Sequence, residues 1–303
     1  MLVVVGMVVG MVVGCERREE VRRAVGVRED GVMEVKVMSF NIRYENAQDE
    51  GVRAWASRVV GVVGAVRGEG VDVLGMQEGL HGQVADLRAS LSEYDFAGVG
   101  RDDGRRGGEY AGIFFRRDRF EKDEGRSGMI WLSETPEVAG SKSWGNEITR
   151  MASWVRLVDR VSGRVLWVVN LHLDHRSQES KERGVRLMVE RLVGLNGEGD
   201  AVVWMGDFNA TEGNEVIRFL GGRDSKIPRV EGFAGFVETY AEGHPRERVP
   251  GSVNFWRSDP KLQWKLDYIF VSKGGEVVEA RVMRTEEPYL SDHFPVVARV
   301  RWR

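Results

Sequence analysis

The sequence contains a single cysteine, Cys15, which follows an uncharged N-terminal run. With no second cysteine the chain can form no internal disulfide, and beyond Cys15 it has no thiol chemistry. The sequence also has little excess of either charge, because 44 lysines and arginines against 47 aspartates and glutamates leave a net charge of -3. This near balance argues against a surface built to bind a long polyanion.

Repeats and low-complexity linkers are absent from the sequence after the N-terminus. Glycine is abundant, at 38 of 303 residues, but it lacks a three-residue period, which excludes a collagen-like chain. The stretch Gly98-Val-Gly-Arg is no dinucleotide-binding loop, because the spacing of that fingerprint and the helix after it are missing. The length suits one large domain or two small ones and is ample for a sizeable core.

The first fourteen residues are mostly apolar and uncharged, and Cys15 then opens a charged segment. Such a run is too short to span a bilayer comfortably but suits the core of a signal peptide. Residues 12–15, Val-Val-Gly-Cys, resemble a bacterial lipobox, in which Cys15 is the lipidated residue. Because no lysine or arginine precedes the apolar run, export by another route and a segment without a targeting role stay open. We expect a signal peptide with lipobox over 1–15, a charged tether over 16–33, and an exported, lipid-anchored protein of the cell envelope.

Apolar runs that end in polar residues dominate the rest of the chain. Runs of this kind, read as buried strands, end at or near Asn41, Glu78, His172 and Asp207. In the last of them, Gly206 is expected to allow a sharp exit that leaves the polar residues at the strand end. An ordinary turn is the alternative for that segment taken alone, because Gly, Asp and Asn are common turn residues.

Two later runs show the reverse order, with Asp267 near the start of one and Asp292 and His293 just before the other. Strands that run in opposite directions place opposite ends at one edge of a sheet. A mixed or antiparallel arrangement would therefore gather all of these polar groups into one cleft.

Amphipathic segments over 53–67, 83–91 and 179–195 have apolar residues at helical spacing. Helices that cover strands in this way predict an α/β sandwich. Because the two halves of the chain supply one set of polar strand ends, we predict a single domain over 34–303.

Seven motifs, in order along the chain, resemble the endonuclease/exonuclease/phosphatase superfamily. They are Met38-Ser-Phe-Asn-Ile-Arg, Gly75-Met-Gln-Glu, Gly108-Glu-Tyr, Asn170-Leu-His-Leu-Asp, Gly206-Asp-Phe-Asn-Ala, Leu266-Asp-Tyr-Ile-Phe and Ser291-Asp-His-Phe-Pro-Val. Trp131-Leu-Ser-Glu-Thr-Pro further resembles a bacterial branch that is distantly similar to carbon-catabolite-repressor-type deadenylases. The resemblance implies a four-layer α/β sandwich of two mixed, largely antiparallel β-sheets flanked by helices. It also implies a divalent-metal-dependent phosphoester hydrolase, namely a phosphodiesterase, nuclease or phosphatase.

Metal ligands follow from the same resemblance. Glu78 and Asp292 match the principal metal carboxylates, and Asn41 supports the metal site. Carboxylates are hard ligands that suit Mg2+, which prefers oxygen donors, and Mn2+ is the alternative ion. A second metal near Asp207 and His172 stays open.

The resemblance assigns Asp267 and His293 to a dyad, in which the carboxylate fixes the imidazole tautomer and stabilises its protonated form. His172 would donate to a phosphate oxygen, and Asp207 would orient or deprotonate the attacking water. Asn209 would hold water or phosphate in line. Whether Asp207 or His293 is the kinetically important base stays open.

Tyr110 and Arg150 match substrate-binding positions. Arg101, Arg105 and Arg106 lie in a glycine-rich loop that could steer phosphate, and an ordinary solvated loop is the open alternative. The Gly206 motif lacks the Tyr-Arg continuation typical of inositol polyphosphate 5-phosphatases, and the mild net charge counts against a processive nuclease. We therefore expect a small phosphoester substrate, such as a nucleotide or short oligonucleotide, with no obligate protein partner. The alternative from another class is a binding module that keeps the fold without catalysis.

Overall fold

The computed structural model of the protein describes residues 31–195, 199–247, 250–257 and 264–303. Cys15, the predicted signal peptide and the tether as far as residue 30 lie outside the described residues. Within the described ranges, none of the helices combines the length and the apolar character needed to cross a bilayer.

Thirteen strands form the framework of the described chain. In chain order they are β1 (Met33–Asn41), β2 (Val73–Gly79), β3 (Tyr94–Ala97), β4 (Tyr110–Arg116), β5 (Phe120–Lys122), β6 (Gly128–Trp131), β7 (Met151–Asp159), β8 (Val165–His172), β9 (Ala201–Asp207), β10 (Val237–Glu238), β11 (Asp267–Val271), β12 (Glu276–Val282) and β13 (Val296–Trp302). The first sheet has six strands in the order β12-β13-β1-β2-β4-β3. The second has seven, in the order β10-β11-β9-β8-β7-β5, with β6 also paired to β7. Each sheet contains one parallel pair, β1 with β2 and β8 with β9, among antiparallel neighbours.

Helices cover the outer faces of both sheets. They are α1 (Trp55–Glu69), α2 (His81–Ser90), α3 (Gln178–Val193) and α4 (Glu215–Leu220), while a short helix, α5 (Thr239–Gly243), contacts β11 of the second sheet and β12 of the first. Helices α1 and α2 pack on the first sheet, and α3 and α4 pack on the second. The predicted four-layer sandwich is thus confirmed, and each of the three predicted helices overlaps an observed one.

The core consists of three apolar layers that follow the alternation of side chains along the strands. In β1, Val35 and Val37 face the second sheet, whereas Met38 and Phe40 face the helices. Because adjacent residues of a strand point to opposite faces, a strand buried on both sides needs an almost continuous apolar run. That requirement explains why the strands stand out in the sequence.

Polar contacts join the two sheets next to the cleft. Asn170 of β8 donates from Nδ2 to the carbonyls of Met76 and Gly112, at 2.9 and 2.8 Å, in the first sheet. Its Oδ1 accepts a hydrogen bond of 2.6 Å from Gln77 Nε2. A Cβ at Gly75 would lie 2.6 Å from Met205 Sδ, so glycine allows the sheets to approach closely at this point. The spacing of the two sheets is therefore set beside the site.

Gly206 serves a different purpose from the sharp exit expected from the sequence. It lies inside β9, with a φ of 153°, and a Cβ there would come within 2.1 Å of the Leu171 carbonyl oxygen. Close approach of β8 therefore requires glycine, and the strand continues through Asp207.

Candidate active site

Neighbouring strands of the second sheet place three site residues in one row. Where β8 pairs with β9 in parallel, His172 lies opposite Asp207. Where β11 pairs with β9 in antiparallel fashion, Asp267 also lies opposite Asp207. His172 Nε2 lies 3.6 Å from Asp207 Oδ2. All three side chains are buried, so the sheet register fixes their relative positions.

The first sheet brings its own polar residues to the same edge. Asn41 ends β1, and its Nδ2 donates to Glu78 Oε1 at 2.8 Å and to Asp207 Oδ2 at 3.1 Å. The Asn41 Oδ1 accepts from the Arg43 backbone at 3.0 Å, so Asn41 orients Glu78 and bridges the sheets. This geometry suits the supporting role predicted for Asn41.

The predicted dyad of Asp267 and His293 is present. His293 Nδ1 lies 2.8 Å from Asp267 Oδ2, which also accepts a 2.6 Å hydrogen bond from Ser252 Oγ. Burial lowers the pKa of His293, but the charge and hydrogen bond of Asp267 outweigh it and hold the pKa well above its usual value. Since His293 Nε2 is 3.9 Å from Asp207 Oδ2, a protonated ring faces the centre of the cleft.

Two histidines of the cleft, His172 and His293, have opposite electrostatic environments. Burial, reinforced by the positive charge of Arg150, holds the pKa of His172 well below that of free imidazole. His172 is therefore neutral where His293 is charged. Burial and then the charge of Asp267 raise the pKa of Asp207 to about 7.

Crowded carboxylates mark the place for a cation. Ligand atoms of Glu78, Asp207 and His293 lie within 4.8 Å of one another. Asp292 lines the same cavity, and burial followed by the charge of Glu78 raises the pKa of Asp292. A divalent cation would relieve this repulsion, and oxygen donors are those that Mg2+ and Mn2+ accept. The residues present therefore fit a divalent metal.

Arg150 lines the same cavity as the carboxylates. Its Nε lies 3.4 Å from Asp174 Oδ2, and its Nη2 lies 3.0 Å from His175 Nδ1. Its Nη1 is buried and has no hydrogen-bond partner among the described residues. An anionic group of a substrate would satisfy that donor.

These groups line one cavity of about 720 Å³. Its described lining residues are Arg43, Tyr44, Glu78, Arg101, Glu109, Ile148, Arg150, His172, His175, Asp207, Asn209, Ala210, Thr211, Asn214, Val253, Phe255, Trp264, Leu266, Asp292 and His293. Asn209 is held there by a 3.0 Å hydrogen bond from Nδ2 to the Leu173 carbonyl. The cavity therefore holds most of the site residues predicted from the sequence.

Tyr110 lies beside the main cavity, where it lines a smaller one together with the predicted residues Arg150 and His172. Its hydroxyl donates to the Arg105 carbonyl at 2.9 Å and lies 3.0 Å from His81 Nδ1, and Tyr110 is not among the described lining residues of the main cavity. Its neighbour Glu109 enters the main cavity instead, 3.7 Å from His172 Nδ1. Sequence reasoning missed Glu109, although the strand-direction argument used for Asp267 applies to it, because β4 starts where its antiparallel partner β2 ends.

Glu109 is also tied to Arg101. The two side chains form two hydrogen bonds of 2.6 and 2.7 Å. Burial and then the charge of Glu78 raise the pKa of Glu109 to about 7 despite this arginine. Arg101 therefore both lines the cavity and pairs with Glu109.

Comparison with known proteins agrees with this architecture. A model of the endonuclease/exonuclease/phosphatase family, whose members are generally hydrolases of phosphoester bonds, matches residues 38–293. The chain belongs to the endonuclease/exonuclease/phosphatase family, as its motifs predicted. No curated protein sequence matches it.

Solved structures resemble the chain over most of its length. An endonuclease/exonuclease/phosphatase from Bacteroides vulgatus is 33% identical, with a TM-score of 0.79 over 88% of this chain and 98% of that one. A mannosyl-6-phosphatase from Bacteroides thetaiotaomicron VPI-5482 is 29% identical, with a TM-score of 0.75 over 88% and 99% of the two chains. The human nocturnin catalytic domain shares the fold at 20% identity, with a TM-score of 0.68 over 88% and 93%.

Proposed function

We propose that this protein is a divalent-metal-dependent phosphatase that hydrolyses a small phosphate monoester, with a sugar phosphate as the favoured substrate. One observation carries the proposal. A single cavity is lined by the carboxylates of Glu78, Asp207 and Asp292 and by Arg150, whose buried Nη1 has no hydrogen-bond partner among the described residues. A phosphate group is the ligand that such opposed charges would bind.

Glu78 and Asp292 would hold the metal, with Asn41 orienting Glu78. Bound there, a divalent cation supplies charge neutralisation and Lewis-acid activation of the phosphoester. The remaining roles belong to the chain's own side chains.

Proton transfer is divided between Asp207 and His293. Asp207, with a pKa of about 7, can accept a proton from water at neutral pH. His293 is kept protonated by Asp267 and can donate to the leaving oxygen. Neutral His172 and Arg150 would donate hydrogen bonds to the oxygens of the phosphate.

The sugar phosphate is favoured by the resemblance to the mannosyl-6-phosphatase at 29% identity. A cavity of about 720 Å³ is also in the range that suits a small molecule. A short oligonucleotide remains the second substrate to be tried.

Hydrolysis assays test this proposal directly. The purified protein is incubated with mannose 6-phosphate, an aryl phosphomonoester, an aryl phosphodiester, and single- and double-stranded oligonucleotides, each with Mg2+, Mn2+ or chelator. We expect metal-dependent release of phosphate from the monoesters, abolished in His293→Ala. Preferential cleavage of the diester or the oligonucleotides would replace the phosphatase with a phosphodiesterase or nuclease. Inactivity on every substrate by a folded, metal-binding protein would favour the binding module.

We further propose that the protein is exported and anchored to the cell envelope through lipid on Cys15, since the leader that precedes it resembles a lipobox. Labelled palmitate should attach to the wild-type chain and not to Cys15→Ala, and only the wild type should fractionate with membranes. Equal labelling of both chains, or a cytosolic wild type, would contradict the anchor.

A further inference from the structure

Arg43 lies at the cavity wall in a backbone conformation unusual for its residue type. It follows β1 by two residues and has a φ of 60°, in the left-handed region. Residues other than glycine rarely adopt that region, and they cluster at functional sites when they do. Its backbone N–H donates to Asn41 Oδ1, so the strained conformation is tied to the proposed metal site.

The guanidinium of Arg43 lies between two carboxylates. Its Nη1 is 3.5 Å from Asp292 Oδ2, whereas its Nε donates to Asp49 Oδ2 at 3.1 Å. Asp49 is itself fixed, because Asn46 Nδ2 donates to the same oxygen at 2.6 Å. The contact with Asp49 is the shorter of the two, and it lies farther from the crowded carboxylates of the cavity.

The backbone at Arg43 does not depend on the contact with Asp292. Its carbonyl accepts hydrogen bonds from Gln83 Nε2 at 3.0 Å and from Arg58 Nη2 at 3.3 Å. The side chain is about a quarter exposed, which leaves it room to move. The Asp292 contact can therefore break while the loop stays in place.

We propose that Arg43 supplies positive charge to Asp292 until a divalent cation replaces it, and that the released guanidinium then binds the anionic group of the phosphoester. This inference rests on the proposed function for its substrate. A guanidinium and a divalent cation compete for one carboxylate and repel each other at short range. Asp49 keeps the released guanidinium at the cavity wall, so metal binding prepares the phosphate site.

Calorimetric titration of the full-length protein with Mn2+, without substrate, tests the competition. Removing the arginine charge in Arg43→Met should tighten Mn2+ binding about fivefold, the size of a partly exposed ion pair. In the Mn2+-loaded protein the same variant should bind inorganic phosphate about tenfold more weakly, because a charge-assisted donor is lost. Unchanged or weaker Mn2+ binding by Arg43→Met would overturn the proposal.

Two matched variants separate charge competition from other effects. Arg43→Lys keeps the charge, so its Mn2+ affinity should stay within about twofold of wild type, and a tightening equal to that of Arg43→Met would refute the competition. Arg53→Met removes an exposed arginine nearby and should leave Mn2+ binding unchanged. This variant controls for the general electrostatic effect of losing one positive charge.

A third variant covers the case in which Arg43→Met fails to fold. In Asp49→Asn the guanidinium loses its second carboxylate and pairs fully with Asp292, so Mn2+ binding should weaken, and tighter or unchanged binding would count against the proposal. Both titrations are independent of turnover. The protein can therefore fail to hydrolyse any substrate while the predicted Mn2+ binding of the Arg43 variants is still observed. It can equally hydrolyse the monoester while that Mn2+ binding contradicts the proposal.

Discussion

The two sheets contribute to the cleft in different ways. His172, Asp207 and Asp267 of the second sheet occupy paired positions in the strand ladder. In the first sheet, Glu78 lies where the register of β2 and β4 shifts, with a φ of 66°, and Asp292 lies in the loop before β13. Such irregularities re-aim side chains that regular pleating would point elsewhere.

This difference separates two requirements of the chemistry. Proton transfer needs donor and acceptor atoms held at fixed distances. Strand register places Asp207 and Asp267, and the contact with Asp267 then positions His293 of the loop before β13. A metal needs several oxygens converging on one point, which a regular strand cannot offer because successive side chains alternate between faces. We call the proton-transfer residues and the metal-binding residues the two halves of the site. The following variants test whether these halves act separately.

Asp207→Asn should have the largest effect on the proton-transfer half. Turnover at saturating metal should fall about 10³-fold, because an amide cannot accept the proton from water. Turnover at a range of Mn2+ concentrations measures this. Recovery of activity at high Mn2+ would place Asp207 with the metal ligands instead.

Asn170→Leu should destabilise the junction between the halves. It leaves the carbonyls of Met76 and Gly112 and the Gln77 amide without their partner, at a cost of about 3 kcal/mol. Urea unfolding monitored by tryptophan fluorescence gives the change. A loss below about 1 kcal/mol in Asn170→Leu would show that the junction is secondary.

Glu78→Gln should act on the metal half alone. Metal affinity should weaken about 10- to 100-fold, whereas turnover at saturating Mn2+ should be largely restored. The same metal titration of activity separates this result from that of Asp207→Asn. A turnover defect that high metal leaves uncorrected would argue against separate halves.

The stability of the metal-free protein should fall from pH 7 to pH 8.5. The raised pKa of His293 provides stabilisation that is complete below about pH 6.5 and is lost as the pH rises through the folded value. Asp207, with its pKa raised to about 7, acts in the same direction, since the folded chain binds a proton that the unfolded chain releases. The lowered pKa of His172 has the opposite effect on stability, because the unfolded chain binds that proton more tightly than the folded chain. This effect is confined to pH values below about 6.5.

Thermal unfolding with chelator should therefore show a loss on the order of 1–2 kcal/mol across this range. Added Mg2+ should stabilise the protein more at pH 8.5 than at pH 7. Equal metal stabilisation at both values would mean that the carboxylates do not bind the cation.

The sequence predicted the regular half of the site better than the irregular half. Apolar runs identified the strands, and the direction of each strand placed Asp267 at the same sheet edge as Asp207, where the structure pairs the two residues. Glu109 and Arg43 were not predicted as site residues. Their positions depend on a shifted register and a left-handed backbone, which arise from contacts distant in sequence and leave no periodic pattern.

Tyr110 and Glu109 are adjacent in one motif, yet only Glu109 reaches the main cavity, because neighbouring residues at a strand start point in different directions. Both residues line a smaller cavity beside it with Arg150 and His172, so the substrate contact predicted for Tyr110 stays a prediction. Hydrogen bonding to His81 then accounts for the tyrosine hydroxyl.

The pairing of β1 with β13 has a consequence for how the protein is made. Met33 in β1 lies opposite Trp302 in β13, so the first strand has its antiparallel partner only after nearly the whole chain has been synthesised. Asp292 and His293 precede that final strand. The emerging chain on the ribosome should thus be unable to bind metal or substrate until its last segment is released. Because β1 and β13 are far apart in sequence, the first sheet should form more slowly than the second.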